Sequence, residues 1–231
     1  MSWLHRLLGK DGATQLAVDP KHFAARMSGR PMELGARGAY GAGFITGILP
    51  AGLGANSEIF QFRWVDTTRV ALIRSVSVSA AVSTTAFVAG VPPQLEMRIA
   101  RSWSGQGTLG TGITFGANDA KKRTSFATTL LASGDVRIAT TAALGAGTKT
   151  LDGTPLAIVV GNTAVATATT QIIPPGTIFW QRNTHDEYPQ LLGQNEGFVI
   201  RSVAVPGTGT WTATVSVEWA ELDPALVDGW A

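Results

Sequence analysis

The segment Thr210 to Trp219 alternates without a break: Trp211, Ala213, Val215, Val217 and Trp219 fall on one side, and Thr210, Thr212, Thr214, Ser216 and Glu218 on the other. A side-chain period of two belongs to an extended chain, so this segment is a strand with one buried face and one wet face. The pattern recurs upstream. Val76, Val78, Ala80 and Val82 oppose Ser75, Ser77 and Ser79; Phe60, Phe62 and Trp64 oppose Gln61 and Arg63 within Glu58–Trp64. In Gln94–Arg101, Leu95, Met97 and Ile99 point inward and Glu96 and Arg98 outward.

Shorter strands are expected at Val136–Ala139, Leu156–Val160, Thr177–Gln181 and Phe198–Val203, and the glycine-interrupted run Ala39–Ile48, closed by Pro50, suits an edge strand or an extended arm. Turn signals separate them, among them Ser133-Gly134, Asp152-Gly153, Pro174-Pro175-Gly176 and Pro206-Gly207. After residue 35 no long amphipathic helix is expected. Many strands without helical crossovers predict an all-β protein, an antiparallel β-sandwich of jelly-roll-like type. Residues 105–129 read as a long excursion between strands, and 140–170, rich in Ala, Thr and Gly, as a further loop or weak strands pairing at an interface.

The first 38 residues differ in character. Ser2 caps a short helical turn pairing Trp3 with Leu7 and Leu4 with Leu8; Asp19-Pro20 starts another, with Phe23 and Met27 on one face. Neither turn is long enough to be stable alone in water. The chain therefore divides into an N-terminal arm, 1–38, and a β-sandwich domain, 39–231. The arm packs either on its own domain or on a neighbour.

Charged residues make up 15% of the 231 residues, against about 25% in an average soluble domain. Mean hydropathy is +0.16. A surface this poor in charge is kept in solution best when partners cover it. The formal net charge of +2 does not call for nucleic acid, and Lys121-Lys122-Arg123 reads as a solvated loop. No apolar run is long enough for a membrane helix, and the start of the chain is too short and too polar for a secretory signal.

Chemistry is sparse. His5, His22 and His185 show no metal-ligand spacing, and cysteine is absent. Gly105-Gln106-Gly107-Thr108-Leu109-Gly110 spells a nucleotide-binding pattern but lacks the strand before it and the helix after it. His185-Asp186-Glu187-Tyr188 is the one enzyme-like cluster, and adjacent residues on an extended chain point to opposite sides. Asp119, Asp135 and Asp152 suit turns, where a carboxylate bonds the local backbone. No catalytic, cofactor or metal residue is expected. Trp64, Trp211 and Trp219 read as core. Trp3, Leu4, Leu7, Leu8, Phe23 and Met27 are the expected anchors of the arm, with Trp230 a further subunit contact.

Three stretches, Phe62–Val70, Pro189–Ile200 and Trp211–Glu221, resemble segments of virion proteins encoded among the structural genes of tailed bacteriophages. The middle one also looks like the strand–turn–strand of jelly-roll domains, with Asn195-Glu196-Gly197 as the turn. The resemblance implies a virion component assembled in the host cytoplasm: a cement or decoration protein, homo-oligomeric as a dimer or trimer, bridging major capsid subunits. A tail, neck or fibre component and a carbohydrate-binding β-sandwich module are the alternatives.

Overall fold

The computed structural model describes residues 36–88, 92–162, 170–181, 190–204 and 207–226. The chain divides into Met1–Pro31 and Met32–Ala231, and the first of these units lies outside the described residues.

Five strands open the second unit: β1 (Gly38–Ile45), β2 (Leu49–Pro50), β3 (Ser57–Trp64), β4 (Val70–Val82) and β5 (Gln94–Gly105). Four short ones follow, β6 (Thr111–Ile113), β7 (Val136–Ile138), β8 (Thr148–Leu151) and β9 (Ala157–Val160). The last four are β10 (Gln171–Gln181), β11 (Leu191–Leu192), β12 (Glu196–Ala204) and β13 (Thr210–Leu222), before a 3-10 turn at Pro224–Leu226.

Two antiparallel sheets result. The first runs β1-β13-β4-β10, with β2 added to β13 and β11 to β4; the second runs β6-β7-β3-β12-β5-β8, with β9 also on β5. Among the long strands, β1, β3, β4 and β5 cross from sheet to sheet. β8 and β9 stay with β5, and β10, β12 and β13 cross again. That connectivity makes the sandwich jelly-roll-like, as the alternation predicts. Residues 140–170 correct one expectation: β8 and β9 pair with β5 inside the chain's own sheet rather than at an interface.

The core lies where the inward faces meet. Trp64, Trp211 and Trp219 are buried in it as expected. Trp219 stacks on Tyr40 (ring centroids 5.3 Å apart) and meets Phe62 edge-on at 5.6 Å, while Phe62 stacks on Phe198 at 5.2 Å. Each such ring removes roughly 150–250 Å² from water, so these aromatics dominate the cohesion of the two layers.

At one end the buried Glu221 fastens the chain where the 105–129 excursion ends. Its carboxylate accepts from Arg37 Nη1 at 2.8 Å, Thr129 Oγ1 at 2.6 Å and the Leu130 backbone N–H at 2.9 Å. The neighbouring Tyr40 hydroxyl has its pKa pushed up to about 12, first by burial and then by the Glu221 charge.

Candidate functional site

The outer face of the first sheet follows from the wet side of the alternation. Cross-strand register sets Gly43 beside Ser216, Ser216 beside Ser77, and Ser77 beside Ile178. The next rows are Ile45–Thr214–Ser79 and Thr212–Ala81–Gln171. Ser79 and Thr214 hydroxyls bond each other at 2.6 Å. In the row Gly41–Glu218–Ser75 the Glu218 carboxylate is neutralised by Lys122 Nζ at 2.5 Å. These rows are therefore hydroxyl-rich, and the carboxylate among them is paired. Ile45 (64% exposed) and Ile178 (58%) flank them.

The edges of this sheet are closed off. Beside β1, the Gly41 N–H donates to Ala120 O at 2.8 Å and the Lys122 N–H to Ala39 O at 2.9 Å. β10 carries Pro174 and Pro175, a left-handed Gly176 (φ 70°) and repeated register shifts against β4. Such edges resist templating by another strand. In the second sheet, β9 instead holds Ile158 and Val160 in the open, 55% and 58% exposed.

The outer face of the second sheet is built differently. Glu96 is buried between Arg98 (Nε to Oε1, 2.6 Å) and Arg201. Burial pushes the Glu96 carboxyl up, but the hydrogen bonds and charges of the two arginines outweigh it and hold it below the usual range. Arg63 donates to Trp103 O at 2.9 Å and lies 3.6 Å from the Asp135 carboxylate, whose pKa burial raises despite Gln106, Ala132 and Arg63. Ser102, left-handed at φ 49°, breaks the alternation of β5 and turns the buried Trp103 onto this outer face with Ala100 and Val199. A glycine is required at 197: a Cβ there would stand 2.8 Å from the Trp103 ring.

Beneath the neighbouring loop, Lys149 Nζ donates to Glu58 Oε2 at 2.9 Å and sits 4.5 Å from the Trp103 ring centre. Burial lowers the Lys149 pKa, and Glu58 offsets this only in part.

A polar cleft of about 840 Å³ opens beside this face, lined by Arg101, Ser102, Ser104 and Gly193 to Glu196. Arg101 is already engaged by Glu196 at 2.5 Å and Asp152 at 3.4 Å. The lining holds no aromatic platform for a sugar ring, and no base is placed against either serine hydroxyl among the described residues. The tight turn lies earlier than the expected Asn195-Glu196-Gly197. Asn195, left-handed at φ 61°, closes a turn over Gly193–Glu196, whose Glu196 N–H donates to Gly193 O at 3.1 Å, and Glu196 and Gly197 already open β12.

The arm anchors Trp3, Leu4, Leu7, Leu8, Phe23 and Met27, together with Trp230, lie outside the described residues, as do His5, His22 and the 185–188 cluster. Among the described residues no group of His, Cys, Asp or Glu is placed to hold a metal ion, and no helix is long and apolar enough to cross a membrane. The glycine pattern at 105–110 is a loop between β5 and β6 with no helix after it. Asp119 bonds the Gly116 N–H at 2.6 Å and Asp135 the Ala132 N–H at 3.0 Å, as turn carboxylates should. Asp152 differs, since its carboxylate faces Arg101. Nothing in the sequence pattern brings Lys149, Glu58 and Trp103 together as a cluster. Their one sequence signal is a lone lysine in an Ala/Thr/Gly-rich stretch.

Comparison with known proteins returns no matching protein family, no matching curated protein and no matching solved structure. The class that the fold itself defines is the antiparallel, jelly-roll-like β-sandwich.

Proposed function

We propose that this chain is a non-enzymatic structural protein of a tailed-phage virion, a cement or decoration protein that stabilises the shell by bridging major capsid subunits. The observation that carries the reading is the outer face of the first sheet: rows of Ser, Thr, Gly and Ala with one internally neutralised carboxylate, presented by a stiff aromatic core. The carboxylate on these rows is already paired, so a neighbour that supplies hydrogen bonds to the hydroxyls covers them at less cost than it would an array of unpaired charges.

Magnitude limits the role of this face. Four strands about 4.8 Å apart and four rows about 6.8 Å apart cover on the order of 500 Å². A stable interface covers roughly 800 Å² per partner. The face alone is too small, and the remainder falls to the apolar anchors of residues 1–35 and to the open strand β9.

Deleting residues 1–35 is expected to leave a folded β domain by circular dichroism that no longer sediments with capsids. Full capsid binding by the truncated chain overturns the bridging role of the arm. Locating the protein on an imaged particle separates a shell position from a tail, neck or fibre position.

A further inference from the structure

Glu58 Oε2 serves two donors at once. Lys149 Nζ reaches it at 2.9 Å and Gln61 Nε2 at 2.6 Å. The lysine and glutamate side chains are 2% and 7% exposed, and Gln61 is 1% exposed. A buried amine, a buried carboxamide and a shared carboxylate are the parts of an amide-exchange reaction, and here they come from β8 and β3, strands that are not neighbours in the sheet.

We propose that Lys149 and Gln61 join in an intramolecular amide cross-link, with Glu58 moving protons between them. Glu58 takes a proton from the Lys149 ammonium and frees the lone pair on Nζ. Nζ then attacks Gln61 Cδ, forming the Nζ–Cδ bond. The bond from Cδ to Nε2 breaks as Glu58 hands its proton to that nitrogen. Nζ, which carries two protons after the attack, gives one of them through Glu58 to the departing ammonia and keeps the other as the amide N–H. The balance is one ammonium and one amine–carbonyl bond from one ammonium and one carboxamide. No oxidant, metal or second substrate enters, and Glu58 is returned unchanged.

Several features favour this over a plain ion pair. Burial lowers the lysine pKa, and the free amine is the nucleophilic form. Attack requires Nζ about 3–3.5 Å from the carbonyl carbon, and Glu58 Oε2 already holds both nitrogens within hydrogen-bond distance of one atom. The Trp103 ring over Nζ and the Gly107 backbone against the Gln61 amide shut water out, which protects the amide from hydrolysis. Gln61 Oε1 is buried with no hydrogen-bond donor, so this amide is held in place by its nitrogen alone, through Glu58 and Gly145 O at 3.0 Å. A turn about its terminal bond brings the bare oxygen to the protonated Glu58 as Nζ closes. The product staples β3 to β8 across the outer face of the second sheet. This inference does not rest on the particle assignment, which the imaging experiment tests separately.

Intact-mass spectrometry of the denatured full-length protein decides it. The expected mass is one ammonia below that of the chain, and digestion is expected to release a branched peptide joining the segments that carry Gln61 and Lys149. A full, unreduced mass, or an ammonia loss mapped elsewhere, overturns the proposal. Lys149→Arg and Gln61→Leu are each expected at their own full mass, and a mass deficit in either overturns the assignment of the bond. Glu58→Gln is also expected at full mass with the β-sheet circular dichroism retained; a branched peptide from that variant overturns the proton-carrying role of Glu58.

Discussion

The two outer faces of this sandwich answer the same problem in opposite ways. On the first sheet, the Ser79 and Thr214 hydroxyls bond each other, and Glu218 is paired with Lys122. On the second sheet, charges are sunk into the surface: Glu96 between Arg98 and Arg201, Lys149 against Glu58, Asp135 beside Arg63. Carboxylates and guanidinium groups buried this way are tied to the fold, because removing one partner strands the other in a dry place. Hydroxyls on a sheet face are under no such constraint. One face holds the molecule together and the other is available to be covered.

Glu96→Ala gives the largest expected effect. It leaves Arg98 and Arg201 facing each other without their shared carboxylate, and breaking a buried charge cluster typically costs about 3–5 kcal/mol. Denaturant unfolding checks this through a lower midpoint at unchanged slope. A loss below about 0.5 kcal/mol, the usual scale of surface substitutions, would erase the distinction between the two faces.

That contrast is only half legible in the residues. The strands with strict alternation are readable because their apolar side fills one core: β3, β5 and β13 begin within one residue of the expected starts Glu58, Gln94 and Thr210, whereas β4 begins well before the alternating run, at Val70. Glu96 and Arg98 face outward as the alternation predicts, yet Glu96 is 3% exposed. Outward and exposed differ here because the neighbouring Arg201 and the 152–153 turn close over the pair, Arg98 Nη1 donating to Asp152 O at 2.8 Å. Which loop folds over which face is a long-range matter, and no local period records it. β6 and β8 escape notice for a related reason: Thr111–Ile113 and Thr148–Leu151 are too short and too polar to show a face of their own. Trp103 reaches the outer face through the left-handed Ser102, a conformation that serine does not advertise. The jelly-roll order is accessible as a class. The candidate contact face is visible as residue types, but its closed edges are not.

Ser216→Lys tests the free face. The residue is exposed, beside Gly43 on one strand and Ser77 on the other, with Glu218 two positions on to receive the ammonium. Stability is expected to move by no more than about 0.5 kcal/mol. Association is expected to fall at least tenfold, about 1.4 kcal/mol, since a covering partner would have to bury an ammonium against hydroxyls. Sedimentation of the protein with itself and with capsids reads the second quantity and thermal unfolding the first. Unchanged association places the contact elsewhere, with β9 the next surface to alter. A large drop in melting temperature would mean that this face, like the other, is needed to hold the fold together.

Acid titration gives the smallest effect and the finest division, because two carboxylates on the second sheet carry opposite signs. Glu96 has its pKa lowered on folding, so its contribution to stability is present above the unfolded carboxylate range and is lost as pH falls through the depressed folded value. Asp135 has its pKa raised by burial, which Gln106, the Ala132 amide and Arg63 do not overcome. Its contribution is present below the unfolded value and is lost as pH rises through the folded one, so ionising Asp135 costs more in the folded chain than in the unfolded one. Asp135→Asn keeps an acceptor for the Ala132 N–H and removes the charge. It is expected to change stability at pH 7 by less than about 1 kcal/mol. Relative to the unmodified chain, its stability should gain most above the raised pKa and least in acid. Unfolding midpoints measured from pH 3 to 7 decide the matter: a variant that loses more stability at neutral pH than in acid would show that Arg63 needs the Asp135 charge more than burial opposes it.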